Sequence, residues 1–90
     1  MYGGKYMANY GENFSPIQTD VNGFNEYRKS FGQKVRSIRK SSGLSQEELA
    51  ERSRLHRNYI SDVERGRRNL SLDALLKLSI GLGISIRDLF

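Results

Sequence analysis

Two short segments near the middle of the chain leave the backbone little choice. In "LSQEELAERS" the Ser45 hydroxyl can accept from the backbone amide of Glu48 while the Glu48 carboxylate reaches back to the amide of Ser45. This reciprocal capping box opens a helix that runs to about Ser53. In "LHRNYISDVERG" apolar residues recur at helical spacing from about His56 to Arg65, and Gly66 supplies the left-handed conformation that stops a helix. Only the tight connection at Arg54 and Leu55 separates the two. Helices this short are marginal alone in water, so each must bury its apolar side against the rest of the chain. The first offers Leu49 and Ala50, and the second Tyr59, Ile60 and Val63. Ala50 is small enough for the two helices to cross closely.

The flanking sequence supplies the partners. Phe24, Tyr27, Phe31, Val35 and Ile38 form one apolar stripe on a helix ending at Gly43, interrupted by Gly32 at a cost of about 1 kcal/mol relative to alanine. Ser71 caps a further helix carrying Leu72, Leu75, Leu76 and Leu78 and ending near Gly83, and Ser85 caps a last turn with Ile86 and Leu89. The expected domain is all-α, five helices over residues 22–90. Residues 1–21, with Gly3, Gly4, Gly11 and Pro16, read as a flexible arm, although Tyr2, Tyr6, Tyr10 and Phe14 are spaced four apart.

Composition narrows the function. With no cysteine, disulfides and thiolate metal sites are excluded, and with His56 the single histidine among 90 residues a zinc site or a histidine-based catalytic group has almost nothing to draw on. No nucleophile with an adjacent base and no phosphate-cradling glycine loop is present, so neither an enzyme nor a cofactor or small-molecule site is expected. Without a secretory leader or a long apolar run, the expected location is cytoplasmic, at the nucleoid, with no membrane partner. Residues 22–90 carry 14 Lys or Arg against 8 Asp or Glu, a basic balance that suits a polyanion.

At 100° per residue, Tyr59, Ile60 and Val63 share one arc of the "HRNYISDVER" helix, while Arg57, Asn58, Ser61, Asp62 and Arg65 fill the opposite arc. Arginine can donate two parallel bonds to guanine, asparagine can pair bidentately with adenine, and serine can donate or accept at either. An ordinary solvated face would carry similar polarity. The capped helix, tight turn and second helix nevertheless make a helix-turn-helix, whose second helix enters the major groove of double-stranded DNA. Glu64 lies at the shoulder of the apolar arc and needs a counter-charge, for which Arg39 is the best-placed residue.

The run "GLSQEELAERSRLHRNYISDVERGRRNLSLDALLKL" resembles the Cro/CI (Xre) family of helix-turn-helix regulators from about Phe31 to Phe90, and within it the controller proteins of restriction-modification systems. The resemblance implies a five-helix, lambda-repressor-like bundle that binds DNA as a homodimer, encoded by a bacterium or phage. It implies base contacts from Arg57, Asn58 and Ser61, with His56 beside them. Backbone contacts are implied for Gln46, Tyr59, Arg65, Arg67, Arg68, Asn69 and Ser71. Ile80, Ile84, Ile86 and Phe90 are the expected dimer surface, because so short a C-terminal segment cannot bury them all. Arg54 stands where the family often has glycine, and Ile80 and Gly81 where it has a polar residue and alanine. The alternative function is an antitoxin or phage- or plasmid-type repressor that also binds a partner protein.

Overall fold

The computed structural model describes residues 21–90. They form four α-helices, α1 (Val21–Ser41), α2 (Gln46–Ser53), α3 (Arg57–Glu64) and α4 (Leu72–Leu82), followed by a 3-10 turn at Ile86–Leu89, with no strand among the described residues. The fold is all-α. Where a fifth helix was expected, the chain makes a single 3-10 turn, tightened by bonds from Asp88 N–H to Ser85 O at 2.9 Å and from Phe90 N–H to Arg87 O at 3.1 Å. Apart from Val21, which opens α1, the arm expected at residues 1–21 lies outside the described residues.

Capping fixes the boundaries of the helices. Ser45 and Glu48 form the full capping box at the start of α2, and the Ser71 hydroxyl accepts from Ala74 N–H at 3.1 Å at the start of α4. All four helices end in the same motif, in which the amide beyond the left-handed residue bonds back across the last turn: Leu44 to Arg39, Leu55 to Ala50, Arg67 to Asp62 and Ile84 to Ser79, at 2.9 to 3.1 Å. Glycine fills the left-handed position in three of them. In α2 it is filled by Arg54, at φ 59°, the only non-glycine with positive φ among the described residues.

Val35, Leu49, Ala50, Ile60, Val63, Leu78, Leu82 and Leu89 make the core, with α1 crossing α3, α2 lying on both α3 and α4, and the 3-10 turn closing onto α4 and α1. Two glycines set how closely these helices approach. Gly32 does not break α1, which runs straight through it; a Cβ there would fall 2.7 Å from the Glu64 carbonyl oxygen, so glycine is what lets α1 reach the end of α3. At Gly81 a Cβ would sit 2.8 Å from the Cβ of Ser53, so α4 meets α2 only without a side chain. The apolar stripes are buried only in part. Tyr27 is 74% exposed and Phe24 is also exposed, leaving Phe31, Val35 and Ile38 to carry the inner face of α1. On α4 the buried residues are Ala74, Leu78, Ser79, Gly81 and Leu82, whereas Leu72 and Leu76 face solvent.

A left-handed arginine costs about 1 to 2 kcal/mol that glycine does not incur. Arg54→Gly regains part of this, offset by the greater freedom of glycine in the unfolded chain, and is expected to raise stability by about 1 kcal/mol. In a thermal melt this is a gain of about 4 to 8 °C.

Candidate nucleic-acid interface

The site is built outward from a buried carboxylate. Glu64, in the last turn of α3, accepts from Arg39 Nε at 2.6 Å on Oε2 and from Arg39 Nη2 at 3.0 Å on Oε1, a two-pronged ion pair with both side chains almost fully buried. Arg39 Nη1 donates to Leu44 O at 2.8 Å in the connection that leads to α2. Gln46, the first residue of α2, adds a bond from Nε2 to Glu64 Oε1 at 3.0 Å. One carboxylate therefore ties α3 to α1 and to the start of α2, and no buried side-chain nitrogen or oxygen among the described residues lacks a partner. The hydrogen bond to Glu64 raises the Arg39 pKa above its ordinary value, against the opposing effect of burial.

This anchoring sets which way α3 faces. Ile60 and Val63 are buried, while Arg57, Asn58 and Arg65 are exposed and Ser61 and Asp62 half-buried on the outer side. They share a polar groove with Gln46 and with Arg36, an exposed residue of α1 that sequence reasoning missed although it lies three residues before Arg39. His56 is exposed at the N-cap of α3 and its side chain makes no capping bond, so the first-turn amides are open to an external acceptor.

The structure brings several of the other expected residues together and gives some of them local partners. The Arg68 guanidinium lies 4.8 Å above the Tyr59 ring and its Nε is 3.6 Å from Asp62 Oδ2, which lays the side chain back along α3. Arg67 and Asn69 are exposed in the same loop, where Asn69 Oδ1 accepts from Arg28 Nη1 at 2.9 Å. The Ser71 oxygen caps α4, and part of the Gln46 amide is committed to Glu64. At the C-terminal end Ile80 is 69% exposed, and Phe90 is exposed while stacking on Phe31 of its own chain at 5.5 Å. Ile84 and Ile86 are half-buried against the core, so the terminal segment buries more of its apolar surface within the subunit than expected. Among the described residues there is no group of metal-ligating side chains, and no helix is long and apolar enough to cross a membrane.

Comparison with known proteins agrees with this geometry. A helix-turn-helix family profile matches residues 35–89. Control protein C.BamHI of Bacillus amyloliquefaciens is 58% identical over 66 residues, 72% of this chain and 82% of that protein. Control protein C.MunI of a Mycoplasma species is 45% identical over 67 residues, 73% of this chain and 90% of that protein. Among solved structures, the restriction-modification controller protein C.AhdI from Aeromonas hydrophila matches with a TM-score of 0.71 and 49% identity, covering 72% of this chain and 98% of its own.

Removing one member of a buried ion pair strands the other charge, at a typical cost of about 3 to 5 kcal/mol. Glu64→Ala is therefore expected to lower the melting temperature by at least about 12 °C. A thermal melt checks this, and a shift of a few degrees would mean that Arg39 reaches water without Glu64.

Proposed function

The chain belongs to the helix-turn-helix family of DNA-binding transcriptional regulators that includes the restriction-modification controller proteins, and from that premise we propose that it binds an inverted-repeat operator as a homodimer and controls a restriction-modification system. The observation that carries this reading is the outer face of α3, where Arg57 and Asn58 stand exposed beside Ser61 on a helix whose opposite side is locked to α1 by Glu64. Arg57, Asn58, Ser61 and His56 are the base-reading residues in this account, because arginine and asparagine offer bidentate donors to guanine and adenine edges. Tyr59, Arg65, Arg67, Arg68, Asn69 and Ser71 serve the phosphate backbone on either side, and Gln46 does so with the amide capacity that Glu64 leaves free. The family acts by binding DNA rather than by catalysis.

One recognition helix makes too few base contacts to select a site in a genome, so two copies are required, about 34 Å apart on successive major grooves. The surface that suits a two-fold contact runs along α4. Leu72, Leu76 and Ile80 follow one another at four-residue spacing and are all exposed, the last continuing toward Ile84, Ile86 and Phe90.

Three variants separate these roles. Arg57→Ala should keep the fold and lose discrimination between operator and random DNA, at about 1 to 3 kcal/mol per half-site; equal losses on both would make Arg57 a phosphate contact. Arg67→Ala should weaken all sequences alike and make the slope of log K against log salt shallower by about one, and an unchanged slope would remove it from the interface. Ile80→Asp should be monomeric in sedimentation at micromolar concentrations where the parent chain dimerises, with operator binding weakened in parallel. Persistence of the dimer would move the interface elsewhere.

A further inference from the structure

The family match covers residues 35–89, yet α1 begins well before it, and this extra length meets the loop that follows α3. Gly66 packs so tightly on α1 that a Cβ there would lie 2.8 Å from the Lys29 Cα. Beside this contact Arg28 Nη1 donates to Asn69 Oδ1 at 2.9 Å, and Arg28 Nη2 donates to Asn25 Oδ1. Asn25, Arg28, Gly66, Arg67 and Asn69 thus line one polar cleft.

The chemistry of an asparagine amide makes the Arg28 bond directional. The side chain has one acceptor oxygen and one NH2 group with two donors, and a free amide can turn either toward an incoming anion. A phosphate is attracted by the NH2 and repelled by the carbonyl oxygen. With Oδ1 held by the guanidinium, the NH2 is the group left for a partner. We propose that Arg28 is a positioning residue, which fixes the Asn69 amide in the orientation that donates to a DNA phosphate and so extends the backbone contact with a residue from outside the segment matched by the family. This rests on reading the Arg67–Asn69 loop as a backbone contact. Arg28 is half-buried and spends two of its five N–H donors on asparagine oxygens, so its guanidinium is assigned to the Asn69 amide, with a direct phosphate contact as the competing outcome of the test.

Phosphate contacts are independent of sequence, so the probe is a labelled random-sequence duplex titrated by fluorescence anisotropy over a series of salt concentrations. Asn69→Ala and Arg28→Leu are each expected to weaken binding about ten-fold, the scale of one hydrogen bond to a charged group. In the Asn69→Ala background Arg28→Leu should cost nothing further, and its salt slope should match that of the parent chain. Arg28→Lys, which keeps a donor for Oδ1, should restore most of the affinity. Losses that multiply in the double variant, with a slope shallower by about one for Arg28→Leu, would overturn the proposal and make Arg28 a direct phosphate contact. A weakened Asn69→Ala beside an unaffected Arg28→Leu would overturn the positioning role alone. Full affinity in Asn69→Ala would instead overturn the reading of the loop itself.

Discussion

A carboxylate taken out of water on a helix only eight residues long is tolerated only where a counter-charge meets it, and Arg39 meets Glu64 with two parallel bonds. Desolvating each ion costs several kcal/mol, a penalty recovered only when geometry is good and the remaining lone pairs are bonded. Here Gln46 takes one of those lone pairs, and the third Arg39 nitrogen bonds the Leu44 carbonyl. Net stability from such a pair is small, but the cost of any arrangement that separates it is large. The orientation of α3 against α1 is thereby fixed, and with it the direction in which Arg57 and Asn58 project.

The remaining scaffold serves the same placement. Neither α2 nor α3 is long enough to persist alone; the start of α2 is closed by the Ser45 and Glu48 capping box, and both helices end at a left-handed residue, Arg54 and Gly66. The Glu48 carboxyl is held below its ordinary pKa by the Ser45 backbone and hydroxyl, so it stays ionised as a cap acceptor further into acid than a free glutamate. Gly32 then lets the α1 backbone meet the backbone at the end of α3, and Gly81 lets α4 close onto the Ser53 and Leu49 side chains of α2. What results is an α3 packed against α1 and α2, with Arg57, Asn58 and Arg65 left exposed on its outer face.

Much of this was legible in the residues because it is local. The capping box at Ser45 and Glu48, the stop at Gly66 and the outward arc of α3 follow from spacing alone, and the need of Glu64 for Arg39 follows from where a wheel places a charge. Tertiary contacts were less readable. Gly32 looked like a weakness in α1 because its reason lies in the Glu64 carbonyl, far away in sequence. The leucines of α4 lie on more than one side of the helix, so periodicity could not tell that Leu78 and Leu82 face inward while Leu72 and Leu76 do not. Partners such as Gln46 for Glu64 and Arg28 for Asn69 depend on side-chain reach across helices, which no pattern encodes.

The central claim is that Arg39 and Glu64 act as one unit. A double-mutant cycle tests it most directly, comparing Arg39→Met, Glu64→Leu and the pair together by chemical denaturation. Each single variant should be strongly destabilised, and the double variant should recover much of the loss, giving a coupling of about 2 to 3 kcal/mol. Single-variant losses that simply add, within about 0.5 kcal/mol, would mean that the two side chains contribute independently and that the orientation of α3 is set by apolar packing instead.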